Sequence, residues 1–413
     1  MITARSAVEQ MDELDPLAGV RDQFVLPDHV IYLDGNSLGA LAAAVPERMR
    51  LAIEQEWGVG LIRSWNDAAW YPAPHRVGGM IARLIGADAA EVIVCDSTSV
   101  NLFKVLMAAC RLRPGRSVIV SELGNFPTNA YITSEVARLT GATAVFVEPA
   151  DVAAAIDAAG HDLVAVQLTE VNYKTALRYD MPAVTSQAHA VGGLAVWDLC
   201  HSVGVLPVDL NGCAADFAVG CTYKYLNGGP GSPAFVFVAE RHLAQLDQPL
   251  QGWHGHVHPF DFSQQYEPDP GIARMLTGTA SQLGVLALEA ALGVFDGLDM
   301  AQVRAKSVSL TDLFIDLVDR QLGEWVFTVA SPRDGAQRGS HVSLAHEQAY
   351  AITQALIAIG VIGDFRAPDL LRFGFSPLYV RHVDVWDAVE GIRQVMTTAE
   401  WDHPTFHARK SVT

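Results

Sequence analysis

Seven short runs rich in β-branched residues, spread through the middle of the chain and separated by helical stretches, limit its fold more than any other feature. They are Glu-Val-Ile-Val-Cys (91–95), Ser-Val-Ile-Val (117–120), Ala-Val-Phe-Val (144–147), Leu-Val-Ala-Val-Gln-Leu (163–168), Leu-Ala-Val-Trp-Asp (194–198), Phe-Ala-Val-Gly (217–220) and Ala-Phe-Val-Phe-Val (234–238). A strand with one wet face alternates apolar and polar residues; these are apolar on both faces, so both must be covered. Between them, 98–112 and 128–139 carry apolar residues at three and four spacing, as covering helices do. The pattern predicts an α/β fold, with a mainly parallel sheet in a large domain.

Beyond that sheet the text changes. An Ala/Leu-rich helical stretch (281–296) leads into helices near 303–322, 347–360 and 383–398, with strands at 342–344 and 370–375. This predicts a smaller C-terminal α+β domain. The expected division is 1–50 as an N-terminal arm and the start of the small domain, 51–295 as the large domain, and 296–413 as the small one.

Composition narrows the function classes. Lys+Arg 28 against Asp+Glu 46 gives a net charge of −18 over 413 residues. A chain so acidic is repelled by phosphate backbones and anionic lipid, so neither nucleic acid nor a membrane surface is the expected partner. Its apolar stretches are interrupted too soon to span a bilayer, for example by Glu289. The N-terminus lacks the basic start and apolar core of a secretory signal. The cysteines, Cys95, Cys110, Cys200, Cys213 and Cys221, are odd in number and never spaced Cys-x-x-Cys, which suggests neither a disulfide framework nor zinc. The expected compartment is the cytoplasm.

The most informative chemistry is an Asp ending one buried strand and a Lys just after the next. Leu-Ala-Val-Trp-Asp198-Leu-Cys-His201 puts a carboxylate and an imidazole where open α/β sheets bind ligands. Phe-Ala-Val-Gly-Cys-Thr-Tyr223-Lys224 puts a phenol and an amine at the neighbouring exit, followed by Asn-Gly-Gly-Pro-Gly (227–231). A lysine in an apolar crevice suits Schiff-base chemistry, and an Asp nearby can hold a protonated pyridine nitrogen. That pairing is what a pyridoxal-phosphate enzyme needs. Either residue alone reads as a surface lysine or a capping Asp; their order, the Asp-x-x-His spacing and the Gly-rich tail favour the site.

Cys-Asp-Ser-Thr98-Ser99 (95–99) follows a strand and opens a helix, so it offers hydroxyls and N–H groups to a phosphate, where an ordinary N-cap is the bland reading. Phe126, at another strand exit, is a ring that can stack on a flat cofactor. His254, His256 and His258 alternate within five residues, but no carboxylate or Cys shares the pattern, and no metal is expected. Gly-x-Gly-x-x-Gly at the early strand–helix turns, the Walker pattern and Gly-x-Ser-x-Gly are absent.

Eight motifs in order then match one family. They are Tyr-Leu-Asp-Gly-Asn36-Ser37-Leu-Gly (32–39), Leu-Ile-Arg-Ser-Trp65 (61–65), Phe-Pro-Thr128 (126–128), Val-Asn-Tyr-Lys-Thr (171–175), Trp-Asp-Leu-Cys-His-Ser-Val-Gly (197–204), Tyr-Lys-Tyr-Leu-Asn-Gly-Gly-Pro-Gly (223–231), Gly-Trp253-x-Gly-His (252–256) and Arg372-Phe-Gly-Phe-Ser-Pro-Leu-Tyr (372–379). From about residue 30 to 395 the chain resembles kynureninase, a pyridoxal-phosphate enzyme of the aspartate-aminotransferase fold type I, with a seven-stranded sheet and likeness to the class V aminotransferases. The resemblance implies a homodimer with active sites at the subunit interface and pyridoxal 5′-phosphate on Lys224. It implies Asp198 at the ring nitrogen, His201 and Tyr223 beside the cofactor, Phe126 over the ring, and Thr128, Asn129 and Thr169 around it. Thr98, Ser99 and Tyr223 hold the phosphate, joined by Trp253 and Thr279 from the partner subunit. The resemblance also implies Arg372 as the clamp on the substrate carboxylate, with Asn36 and Ser37 at the substrate, and Trp65 and Thr279 at the aryl end of its pocket.

The implied reaction is hydrolysis of L-kynurenine, or a ring-substituted kynurenine, to anthranilate and L-alanine, a step of tryptophan catabolism, with Tyr223 moving protons at the γ-carbonyl. The alternative is a related lyase performing β-elimination or decarboxylation-deamination on another amino acid. The chain departs from the family pattern at three places: Asn129 stands where an Asp is expected, Glu170 and Ala176 where His and Gly are expected, and Ala280–Gln282 lacks a proline. These departures are expected to spare cofactor binding and to bear on substrate choice or the fate of the carbanion.

Overall fold

The computed structural model describes residues 4–410; residues 1–3 and 411–413, the outer ends of the two terminal segments, lie outside the described residues. The seven runs form one sheet: β1 (Val92–Val94), β2 (Val118–Glu122), β3 (Thr143–Val147), β4 (Leu163–Thr169), β5 (Leu194–Asp198), β6 (Phe217–Gly220) and β7 (Phe235–Val238). Their spatial order is β1-β7-β6-β5-β4-β2-β3. Only β7 runs against its neighbours β1 and β6; the other pairings are parallel. Successive residues feed opposite faces. Trp197, Ala195 and Ala218 pack into one apolar cluster, while Val196, Val219 and Val236 pack into the other. That two-sided burial is what the unbroken apolar runs require.

Two covering helices show why their ends fall where they do. Helix α1 (Thr98–Leu112) starts at Ser97, whose hydroxyl accepts from the Val100 N–H at 3.4 Å. Helix α2 (Pro127–Thr140) begins on a proline, whose missing N–H costs nothing there, and ends at Gly141 with φ +75°. The Ala-rich stretch after 150 forms the helix Val152–Ala159. Helix α3 (Gln282–Leu292), shorter than the 281–296 expected because a 3-10 turn follows, leads into α4 (Met300–Gln321).

The C-terminal region carries an antiparallel sheet of β8 (Thr328–Val329), β9 (His341–Ala345), β10 (Asp364–Arg366) and β11 (Leu370–Gly374), in the order β8-β9-β11-β10. Helix α5 (Ala349–Ala358) packs on it together with α4, and α6 (His382–Thr398) packs on both of those helices. The N-terminal arm packs here. Ile31–Tyr32 pairs parallel with Val361–Ile362, and Asp12 accepts from the backbone N–H groups that open α6. Asp15 and Lys306 form a buried ion pair at 2.6 Å that ties the arm to α4. The arm then crosses to the large sheet, where the Gly39 N–H donates to the Tyr223 carbonyl at 2.8 Å. A Cβ at Gly39 would meet the Lys224 carbonyl oxygen at 2.2 Å, so only glycine permits this approach.

Candidate active site

Side chains converge where the parallel strands end. The exits of β1, β2, β4, β5 and β6 deliver Thr98 and Ser99; Phe126, Thr128 and Asn129; Thr169; Asp198 and His201; and Tyr223 and Lys224. Because β7 is reversed, the residues before it, Gly231 and Ser232, reach the same edge. Together they line a cavity of about 220 Å³. A crevice outside the carboxyl ends of the strands is where such sheets bind ligands.

The floor is a buried carboxylate without a cationic partner. Asp198 is 3% exposed. Its Oδ1 accepts from the Cys200 N–H and its Oδ2 from the Asn129 amide, both at 2.8 Å. Among the described residues no lysine or arginine hydrogen-bonds to it, and a buried anion held only by neutral donors calls for a cation. Lys224 Nζ lies 3.0 Å from His201 Nε2 and 5.9 Å from the centroids of the Phe126 and Tyr223 rings. Burial, then the Lys224 charge, hold the His201 pKa well below the imidazole range, so the ring facing the amine is neutral. Neighbouring Cys221 and burial push the Tyr223 phenol above its usual range and keep it protonated.

One end of the cavity is built for an anion. Ser97, Thr98 and Ser99 line it at the start of the fifteen-residue helix α1, whose first N–H groups have no intrahelical acceptor. The loop before this helix is anchored by Asp96, which pairs with the buried Lys104 and accepts from Thr277 Oγ1 at 3.0 Å. A flat aromatic ring carrying a phosphate at one end and a protonatable nitrogen at the other fits this arrangement: the helix start would take the phosphate and Asp198 the nitrogen, with Lys224 at the edge. Pyridoxal 5′-phosphate has that shape and charge pattern.

Arg372 sits outside this cavity in a buried cluster of its own. Its Nε donates to Asp364 Oδ1 at 2.8 Å, Nη2 to Asp364 Oδ2 and to Ser37 Oγ, and Nη1 to the Tyr173 carbonyl at 2.6 Å. The Asn36 amide oxygen accepts from Nε at 2.8 Å when its amide is oriented to satisfy both atoms. Asp364 lies directly opposite Arg372 across β10 and β11. Burial opposes its ionisation, yet the guanidinium holds Asp364 down at about 2. Burial and the Asp364 charge push neighbouring Asp34 up to about 7.

Three expected residues lie away from both clusters. Trp65 meets Trp70 edge-on, with ring centroids 5.8 Å apart, and His254 at 6.5 Å. Trp253 is 42% exposed and packs on His254 at 4.0 Å, and Thr279 is exposed ahead of α3. Of the departures, Asn129 stands in the floor itself. Glu170 is buried and turned to Arg178 at 3.1 Å. Ala176 is buried at φ +63°, which explains why glycine is expected there. Ala280–Gln282 lies at the start of α3, outside the cavity lining.

Residue-level reasoning missed Tyr173, whose ring meets Phe126 edge-on at 5.2 Å, and Asp364. Tyr173 lay inside a quoted motif. Asp364 had no signal beyond an acid facing an arginine on adjoining strands.

Comparison with known proteins agrees with this geometry. Residues 303–392 match the family model described as the kynureninase C-terminal domain. The chain is 50% identical over 410 residues to a kynureninase of Burkholderia pseudomallei (strain 1106a), covering 98% of each chain. It is 49% identical over 419 residues to one of Pseudomonas fluorescens, covering 100% of each. Among solved structures it is similar to the cysteine desulfurase CsdA of Escherichia coli, with a TM-score of 0.77, 20% identity and 92% and 98% of the two chains covered. A mutant of C-DES, solved with glycine covalently linked to its PLP cofactor, gives a TM-score of 0.76 at 16% identity, covering 90% and 98%. At such identities these two establish the fold, a PLP-enzyme architecture of fold type I.

Proposed function

The chain belongs to the kynureninase family, and from that premise we propose that it binds pyridoxal 5′-phosphate and hydrolyses L-kynurenine, or a ring-substituted kynurenine, between Cβ and Cγ to release anthranilate and L-alanine. It is a carbon–carbon bond hydrolase. The observation that carries the reading is the meeting of Lys224, neutral His201 and the unpaired Asp198 carboxylate around one cavity.

When bound, the cofactor supplies an electron sink for the pair released as bonds at the substrate's α and β carbons break. The chain's own residues supply the rest. Asp198 would hold the ring nitrogen, Phe126 would cover the ring face, and Thr128, Asn129 and Thr169 would border it. Thr98, Ser99 and Tyr223 would hold the phosphate. Lys224 would be the attachment point, with its Nζ moving the proton at the substrate α-carbon; His201 Nε2, 3.0 Å away, restrains that amine. Arg372, kept rigid by Asp364, Ser37 and Asn36, offers its fork to the α-carboxylate. The protonated Tyr223 phenol donates at the γ-carbonyl.

The active unit in this reading is a homodimer. Supporting it is a run of exposed apolar side chains, with Trp57 at 56%, Val59 at 62%, Leu61 at 59% and Ile62 at 78% exposure, that a single chain leaves in water. A second copy covers them, and the partner subunit's Trp253 and Thr279 complete the phosphate end. We place the enzyme in the cytoplasm and in tryptophan catabolism. Five free cysteines suit a reducing compartment, and no helix among the described residues is long and apolar enough to cross a membrane.

The test is to mix the purified, cofactor-loaded protein with kynurenine and quantify both products. Equal release of anthranilate and alanine supports the hydrolase. Release of neither, with the cofactor bound, refutes it and directs the search to the lyase alternative.

A further inference from the structure

The amide of Asn129 is buried and has three oxygens around its nitrogen. Nδ2 lies 2.8 Å from Asp198 Oδ2, 3.0 Å from Thr169 Oγ1 and 3.1 Å from Asn125 Oδ1. Thr169 Oγ1 gives its own hydrogen to Asn125 Oδ1 at 2.6 Å, and the Phe126 N–H donates to that same oxygen at 2.7 Å. None of the three oxygens therefore has a hydrogen to offer position 129. The nitrogen of Asn129, and not its oxygen, must face Asp198. With the Cys200 N–H on Oδ1, each Asp198 oxygen has one donor, one from helix α2 and one from the turn after β5.

We propose that Asn129 is a positioning residue for the cofactor-binding carboxylate: its amide fixes the rotation of Asp198 and leaves the cavity floor with a single carboxylate to meet the cofactor's ring nitrogen. This rests on the cofactor reading above. A charged Asp at the same place would set two carboxylates within hydrogen-bond distance. Like charges that close do not both ionise, so one would carry a proton and the pair would titrate together. The family-expected residue and the residue present thus build two different floors.

The experiment compares wild type, Asn129→Leu and Asn129→Asp. Cofactor affinity is measured by equilibrium dialysis with pyridoxal phosphate, and the visible absorption of the bound cofactor is followed against pH. Leucine keeps the bulk and removes the donor. The loss of a hydrogen bond to a charged group weakens cofactor affinity about 10- to 100-fold and displaces the spectral titration. Asn129→Asp adds a proton-linked spectral transition that wild type lacks. The ionisable groups around Asp198 are Cys200, Cys221, Tyr223 and Glu122, with His201 and Lys224 across the cavity. All are unchanged in both variants, so a new transition belongs to the coupled pair at positions 129 and 198.

Affinity within about twofold of wild type and superimposable titrations in both variants overturn the proposal. If the leucine variant does not fold, the Asp titration decides alone. Wild type that binds no pyridoxal phosphate overturns the cofactor reading and this proposal together; wild type that binds it, with variants that match, overturns only this one.

Discussion

Replacing Glu122 by Gln probes the electrostatics beside the cavity. Glu122 ends β2 and is 1% exposed. The Tyr179 hydroxyl donates to Oε2 at 2.7 Å, and Oε1 has no partner among the described residues. Burial pushes its pKa up from 4.5 to about 7. That displacement corresponds to about 3 kcal/mol between the protonated and ionised forms. The folded protein keeps this proton up to about pH 7, whereas the unfolded chain releases it near 4.5. Between those values the folded state binds more protons, so stability falls as pH rises; the contribution is complete below 4.5 and gone above 7. Gln cannot ionise and still accepts from Tyr179. Its NH₂ occupies the unpartnered Oε1 position at a cost that does not vary with pH, so the readout is the change with pH. Urea midpoints of the two holoenzymes are compared at about pH 5 and about pH 8, where the variant gains up to about 3 kcal/mol on wild type. Stability curves that stay parallel across that window refute the reasoning.

Three further outcomes follow from particular contacts. Asp364→Asn removes the charge opposite Arg372, and steady-state kinetics with kynurenine show KM raised by about tenfold or more; an unaltered KM argues against Arg372 as the carboxylate clamp. Asp216 accepts from His189, His242, Arg241 and the Ala195 N–H, so Asp216→Ala leaves the buried His242 and Ala195 N–H without an acceptor and lowers unfolding free energy by about 3 kcal/mol. A loss under about 1 kcal/mol in urea titration contradicts that account. Ile62→Glu, placed in the exposed apolar run, shifts size-exclusion elution from dimer towards monomer with parallel loss of activity; an unchanged elution volume places the interface elsewhere.

The large sheet was legible because its evidence is local. Residues 98–112 appear as one helix with those bounds, and all seven runs became strands of one sheet. The reversal of β7 was not legible, since a run apolar on both faces has no direction. The Ile31–Tyr32 and Val361–Ile362 strands are two residues each, too short for any period to register. Lys224, Asp198, His201 and Thr98 were readable for another local reason: each lies at or just after the end of a strand, Asp198 and His201 at the same one, and parallel strands carry their exits to one edge.

What the sequence determined by itself was therefore the fold class, the covered sheet and which strand exits bear an amine, a carboxylate and hydroxyls, because each follows from residues close together in the chain. Only the tertiary structure decided the partners. Asn129 meets Asp198 across 69 positions, Arg372 meets Ser37 across 335, and Gly39 reaches Lys224 from the far end of the arm. Such pairings depend on strand order, register and the docking of the arm, which are set by packing between distant segments and leave no periodic trace in either one.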